Sequence, residues 1–331
     1  MERTTGMTTA RTLSDDIYLL AGLLGETLRA QASEAAFERE ERARALAKAF
    51  RAGEAGAGEA LADLVGGLDP GEADSLVRAF TLYFQLINLA EDSERIRRIR
   101  RREASEPGWR RGSLGEAIAR LAAAGVDAAG LQAMLDRALV RPVLTAHPTE
   151  ARRRTIIAKL ARVFAILRDL DARAPLPREV ADARRRLAGT IAELWSSDEI
   201  RAVTPTVLDE VRAYLVYVTA TLVHVVPQVY RDLEAAIAET YPDAAIGVPP
   251  VLTFGTWVGG DRDGNPNVTP AVTAETLEVM RDAALAFWDG RLVELAGRLS
   301  LSERVVGPAP ALQPWLAAYR ERFPEIGQML A

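Results

Sequence analysis

The chain has 331 residues, of which 49% are hydrophobic and 26% charged, a composition typical of a soluble protein with a real core. Its formal net charge of −5 gives no electrostatic reason to expect a nucleic-acid partner. Cysteine is absent, which excludes disulfides and thiolate metal sites and agrees with a cytoplasmic location.

Helical patterns dominate the chain from its N-terminal part onward. Residues 1–14 are polar, lack the apolar stretch of a secretory signal, and are predicted to be frayed. Ser14 is the predicted N-cap of a helix from Asp15 toward Ala32, and residues 15–331 are predicted to form a single helical region. Further helices are predicted near Ala73–Arg102, Ser113–Ala124, Asp127–Leu139, Thr149–Asp171, Pro177–Trp195, Thr206–Val225, Pro227–Thr240 and Pro270–Leu299.

Two segments raise the question of a partner. The basic run 97–102 has acidic flanks and no interleaved aromatic residues, so we predict a solvated helix end and not a nucleic-acid site. Residues 213–230 carry no formal charge over nearly the length of a membrane-spanning helix. Polar residues interrupt this stretch, so we predict a buried helix and no membrane partner, with His224 in a core or groove.

One histidine lies at the junction between an extended pattern and a helical one. The sequence from Val143 reads Val-Leu-Thr-Ala-His-Pro-Thr-Glu and is followed by three consecutive arginines, Arg152, Arg153 and Arg154. Because Pro148 suits the first position of a helix, His147 is predicted at a helix N-cap, where free N–H groups favour an anion. The alternative is an ordinary turn histidine followed by solvated arginines.

A second extended run enters a loop rich in Gly, Asp and Asn. Val251–Val258 is β-like, the loop begins at Gly259, and Thr269-Pro270 marks a helix start. Counted from Asp261, the sixth position is Pro266 and the twelfth is Val272, where an EF-hand calcium loop needs Gly and Glu, so the loop is not an EF-hand. A tight loop whose Asp and Asn side chains cap their own backbone remains the alternative. The chain is thus predicted to be mainly α, with two short strands that each end at a motif.

Together these motifs resemble those of phosphoenolpyruvate carboxylases. The first segment, with Arg153-Arg154-Thr155, is similar to that family's first active-site signature, and 259–269 (GGDRDGNPNVT) is similar to a second. Between them, 195–201 (WSSDEIR) is similar to a third. The resemblance covers nearly the whole chain.

The resemblance implies a helix-rich enzyme built around a (β/α)8-type barrel, of which this chain would hold only the first short strands. It implies carboxylation of phosphoenolpyruvate by bicarbonate to oxaloacetate and phosphate, with Mg²⁺, in a lyase that supplies the tricarboxylic acid cycle with fixed carbon dioxide. Bicarbonate would attack the phosphoryl group to give carboxyphosphate and an enolate, which then captures the released CO₂. A homo-oligomer is implied for the full-length protein.

The same resemblance assigns roles to particular residues. His147 matches the catalytic histidine and would hold and polarise the phosphate or carboxyphosphate. Arg153, Arg154 and Arg262 would neutralise anions or support the groups that do so. Loop-shaping roles fall on four residues: Gly260, Asp263, Gly264 and Asn265.

Family members are much longer than this chain. Their metal-binding acidic residues, a second essential histidine and a glycine-rich mobile loop lie further along and are not found in these 331 residues. We therefore expect an N-terminal portion without metal ligands of its own. A non-catalytic assembly or regulatory module on the same scaffold is the alternative, and a phosphohistidine carrier is a third possibility.

Overall fold

The computed structural model describes residues 11–105, 108–145, 153–172, 175–198, 205–307 and 309–325. Helices account for most of these residues, which confirms the mainly α prediction. In chain order the elements are α1 (Leu13–Gln31), α2 (Glu34–Arg51), α3 (Ala57–Gly66), α4 (Pro70–Ser105), α5 (Leu114–Ala123), α6 (Ala128–Leu135), β1 (Val143–Leu144), α7 (Arg154–Ala172), α8 (Pro177–Trp195), α9 (Val207–Tyr217), a π-helical segment (Val218–Leu222), α10 (Val223–Thr240), β2 (Gly255–Thr256), α11 (Pro270–Arg298), α12 (Glu303–Val306), a 3₁₀ turn (Pro310–Leu312) and α13 (Gln313–Arg322).

Helix α1 begins two residues earlier than the sequence predicts. Thr12 is the N-cap: its hydroxyl accepts from the Asp15 amide, and the Asp15 carboxylate accepts from the Thr12 amide. This reciprocal capping box satisfies two amide donors at the helix start, which Ser14 as N-cap would not do. The prediction of Ser14 as N-cap is therefore wrong, because Leu13 and Ser14 are already helical, and residues 1–10 of the predicted frayed terminus lie outside the described residues.

The larger core lies between α1, α4, α7 and α8. It consists mainly of leucine, isoleucine and valine side chains at helical spacing, several of them with no exposed surface. Fully burying each such side chain contributes about 1.5–3 kcal/mol relative to exposure. This bundle fixes the start of α7 against the end of α8, where two of the sequence motifs lie.

One arginine of the basic run ties this bundle together. Arg97 donates to Asp16 and Asp171 at 2.8 Å each and to Glu94 at 2.9 Å, so it links α4 to α1 and α7. Asp16 has no exposed side-chain surface, and this burial raises its pKa even though Arg11 and Arg97 act in the opposite direction. Arg97 is only 11% exposed, so the prediction of a solvated helix end is wrong for this residue.

A smaller core joins α5 and α6 to α10. Ile118 and Leu131 pack against Leu233 and Ile237. The Tyr241 hydroxyl donates to the carbonyl of Val126 at 2.8 Å and closes one end of this cluster. The cluster holds α10 beside the segment that leads into β1.

The predicted break before Pro227 is absent, because α9, the π-helical segment and α10 form one continuous helix through Pro227. By length and composition alone, Val207–Thr240 could cross a membrane, a criterion that core helices of soluble proteins also meet. No residue of its most apolar 18-residue window is buried. The prediction of a buried helix is therefore wrong here, and His224 is exposed.

The exposure of this helix follows from how it packs. Its larger contacts within the described parts of the chain are with α5 and α11, which cover only part of its circumference. Helix α11 also exposes large apolar side chains, including Leu285, Trp288 and Leu292. The apolar composition of these helices is thus not matched by burial in this chain.

Candidate active site

The two short strands place the predicted motifs at the same end of a parallel ladder. Val143 pairs with Gly255 and Leu144 with Thr256, and the Trp257 amide donates to the Leu144 carbonyl at 3.1 Å. Both strands run in the same direction, so their carboxyl ends lie side by side. The segment that leads to His147 and the glycine-rich loop therefore start from neighbouring points, as predicted for two strands that each end at a motif.

Side chains from the long helix support this ladder. The Tyr230 hydroxyl accepts from the Leu252 amide at 3.0 Å, just before β2. Tyr214 is hydrogen-bonded to the Thr256 side chain. Burial raises the pKa of Tyr214 more than this hydrogen bond lowers it, so the phenol stays protonated at neutral pH. The sequence patterns do not single out either tyrosine, although each lies in an otherwise apolar stretch.

His147 and Arg152 lie outside the described residues, but the arginines after them are described. Helix α7 begins at Arg154, directly after Arg153. Thr149, the predicted helix start, also lies outside the described residues, as does His147, the predicted N-cap. Arg154 is exposed, and the first turn of α7 contains no acidic residue. A cation at the positive end of a helix dipole is unfavourable unless an anion lies nearby.

The third motif meets the first at this point. The Arg153 guanidinium lies 3.8 Å from the Asp198 carboxylate, and both side chains are substantially exposed. Six residues further along the chain, Lys159 donates to the Ser197 hydroxyl at 2.5 Å and to the Glu193 carbonyl at 3.0 Å. The structure thus joins the arginine segment to the Trp-Ser-Ser-Asp segment, and it adds Lys159, which no sequence motif had indicated.

The glycine-rich loop folds through its own side chains. Asp261 accepts from the Asp263 amide at 3.1 Å, and Asn265 accepts from the Asn267 amide at 3.0 Å, which are Asx-turn contacts. Arg262 donates to the Thr273 hydroxyl at 3.3 Å and so contacts the first turns of α11. These contacts agree with the interpretation of a self-capped loop, and Arg262 remains exposed.

Gly259 is the most constrained residue of the loop, although the sequence prediction favoured Gly260. Its φ is +76°, and a Cβ there would lie 2.4 Å from the Thr276 hydroxyl oxygen. Gly264 has a φ of +69° with open space around it, whereas Gly260 has neither a positive φ nor a close neighbour. A buried threonine near the start of α11 thus sets the path of the loop.

The acidic residues of the loop do not form a metal site. Across the described residues, no group of three or more His, Asp or Glu side chains could hold a metal ion. Asp261 already accepts a backbone hydrogen bond within its turn. The described residues therefore do not fit Mg²⁺, and the cationic side chains around the motifs suit an anion instead.

Comparison with known protein sequences shows the family of this chain. The sequence model of the phosphoenolpyruvate carboxylase family matches residues 13–331. The phosphoenolpyruvate carboxylase of Roseiflexus castenholzii is 41% identical over 323 residues, which cover 96% of this chain and 34% of that protein. The Thermus thermophilus enzyme is 42% identical over 301 residues, covering 90% and 33%. This chain spans about a third of the length of these relatives, as expected for an N-terminal portion, and it belongs to the phosphoenolpyruvate carboxylase family.

Proposed function

We propose that the protein containing this chain carboxylates phosphoenolpyruvate with bicarbonate to give oxaloacetate and phosphate. The main support for the proposal is the parallel pairing of β1 with β2, because two family motifs then follow directly from adjacent strand ends. Enzymes built on parallel β/α units place their reacting groups at this end of the sheet. The relatives that match this chain are named for this activity.

The cationic residues have a common task in this reaction. The substrates and the carboxyphosphate intermediate are all anions, and phosphoryl transfer depends on positioning and charge neutralisation more than on covalent help. Arg154 is exposed at the start of α7, where it has no acidic neighbour in the first turn. We assign it to anion neutralisation, with Arg153 held by Asp198 and Arg262 held by Thr273 in support.

His147 supplies the group that acts on the phosphate. An imidazole beside a phosphoryl oxygen holds that oxygen by a hydrogen bond and donates a proton as charge develops. We assign no covalent phosphohistidine to this residue. Gly260, Asp263, Gly264 and Asn265 complete the proposed site as residues that shape the neighbouring loop.

The wider setting of the reaction is part of the same proposal. The two strands belong to a (β/α)8-type barrel that the rest of the polypeptide completes, and the Mg²⁺ ligands lie outside the described residues. The full-length protein is a cytoplasmic homo-oligomer that supplies oxaloacetate to the tricarboxylic acid cycle. It has no nucleic-acid or membrane partner.

The test is oxaloacetate formation from phosphoenolpyruvate, bicarbonate and Mg²⁺, coupled to malate dehydrogenase and NADH. The 331-residue chain alone should be inactive, and the full-length protein active. In the full-length protein, His147→Asn should abolish turnover, whereas His224→Asn, at the chain's other histidine, exposed on α10, should leave it unchanged. Inactivity of the full-length protein would support the non-catalytic module, and unchanged turnover in His147→Asn would remove this residue from the mechanism.

A further inference from the structure

A cleft rich in arginine is formed by residues that precede the motif segments in the sequence. It has a volume of about 500 Å³ and is lined by five arginines, two glutamates, Leu13 and Ile99. Three of the arginines, Arg95, Arg98 and Arg102, come from the last turns of α4, and Arg110 and Arg111 come from the segment before α5. None of its lining residues belongs to the motifs of the candidate active site.

The helical arginines share one face of α4. Arg95, Arg98 and Arg102 are spaced three and four residues apart, which stacks them on successive turns. Leu13 and Ile99 provide the apolar part of the lining beside them. Three guanidinium groups therefore line one wall over two helical turns.

The second wall is held in place before any ligand arrives. The Trp109 indole packs so closely on Gly115 that a Cβ there would lie 1.9 Å from it. The Gly112 amide donates to Glu116 at 2.6 Å, and the Ser113 amide donates to the Arg110 carbonyl at 3.0 Å. Because these contacts fix the backbone that carries the two arginines, little ordering entropy remains to be lost on binding.

The charges in the cleft are only partly neutralised. Glu94 is shared by Arg97, Arg98 and Arg101, and Arg110 pairs with Glu103 at 3.1 Å. Within the described parts of the chain, the side chains of Arg95, Arg102 and Arg111 make no ion pair or side-chain hydrogen bond. The cleft therefore contains an excess of positive charge, with five arginines against two glutamates in its lining.

We propose that this cleft, formed by Arg95, Arg98, Arg102, Arg110 and Arg111, binds a small phosphate-bearing anion. Guanidinium groups match phosphate oxygens with two parallel hydrogen bonds, which makes arginine suited to this ligand class. The cleft volume lies within the range of small-molecule sites, which suits a compact anion. This inference does not depend on the carboxylase activity.

The experiment is calorimetric titration of the 331-residue chain with inorganic pyrophosphate. Saturable binding is expected, with an affinity that falls as salt is added. Arg102→Gln and Arg111→Gln should each weaken binding about tenfold, because each removes one charge-assisted contact. Arg100→Gln removes the same charge from an exposed position on α4 outside the cleft lining and should leave affinity unchanged.

Two further arms distinguish binding in this cleft from binding at the motif loops and from a preference for nucleic acid. A loss of binding in Arg102→Gln and Arg111→Gln places pyrophosphate in this cleft, whereas a loss confined to His147→Asn would place it at the motif loops and overturn the proposal. Far-ultraviolet circular dichroism should show unaltered folding for the exposed arginine variants. Absence of binding, or equal losses in Arg100→Gln and Arg102→Gln, would overturn the proposal, as would tighter binding of a poly(dT) strand than of pyrophosphate.

Discussion

Gly259→Ala tests the contact that sets the path of the glycine-rich loop. The substitution forces alanine into φ +76°, which costs about 1–2 kcal/mol for a residue with a Cβ. The new methyl group also lies 2.4 Å from the Thr276 hydroxyl oxygen in a buried setting, and such overpacking costs about 1–3 kcal/mol. The free energy that closes the loop should therefore fall by about 2–5 kcal/mol.

Gly264→Ala is the matched control, because its φ of +69° carries the backbone cost while its surroundings are open. Native-state hydrogen exchange of the Gly260 and Asp261 amides, which both donate to the Trp257 carbonyl, measures the opening of the loop directly. Removing the hydroxyl and methyl in a Gly259→Ala/Thr276→Ala double variant should recover much of the steric part. Equal effects of Gly259→Ala and Gly264→Ala would refute the steric reasoning.

Three further substitutions test the framework around the site. Arg97→Met should destabilise the chain by about 1.5–3 kcal/mol in urea unfolding, because it removes one of the two arginines, Arg97 and Arg11, that pair with the buried Asp16 carboxylate; a loss below about 1 kcal/mol would contradict this. Burial raises the pKa of Glu40 from 4.5 to about 7. The stability that the protonated carboxyl contributes is fully present below pH 4.5 and is lost as the pH rises through about 7. Glu40→Gln should therefore stabilise the chain at about pH 8 by up to about 3 kcal/mol and flatten its pH dependence, and an unchanged pH profile would exclude Glu40 as the cause. Arg153→Met should cost under about 1 kcal/mol of stability, matched by Asp198→Asn, because the pair is 3.8 Å apart and exposed; a larger loss in thermal unfolding would show a structural role.

Local signals in the sequence predicted the elements well where the physical cause was also local. The starts of α8 at Pro177 and α11 at Pro270 follow from proline at the first helical position, and Thr269 caps α11 as its sequence indicates. The Thr12–Asp15 capping box was equally readable, since a threonine is followed three residues later by an acid. The Thr12–Asp15 spacing is therefore a stronger signal for a helix start than Ser14 alone.

Long-range contacts could not be read in the same way. Arg97 belongs to a run of arginines whose sequence predicts a solvent-exposed helix end. It is largely buried because it pairs with Asp16, which lies 81 residues away in the sequence. The close contact between Gly259 and Thr276 depends on how α11 packs against the loop, which no local pattern in the sequence indicates. Apolar composition predicted burial of the long helix, but burial also requires a partner surface, and the described residues do not supply one for its most apolar window.

The pairing of β1 with β2 is the feature on which the site depends, and two-residue strands do not hold each other unaided. The flanking contacts explain how the pair persists. The Val140 amide donates to the Val251 carbonyl at 2.7 Å, the Thr253 amide donates to the Val140 carbonyl at 3.0 Å, and the Arg141 guanidinium donates to the Thr253 hydroxyl. Tyr230 then joins the same segment to the long helix, which the smaller core anchors. The helical scaffold therefore fixes the register of the strands, and the register places the two motifs together. A shift of one residue would turn every side chain of the pair to the opposite face, so the site requires the helices as much as the motifs.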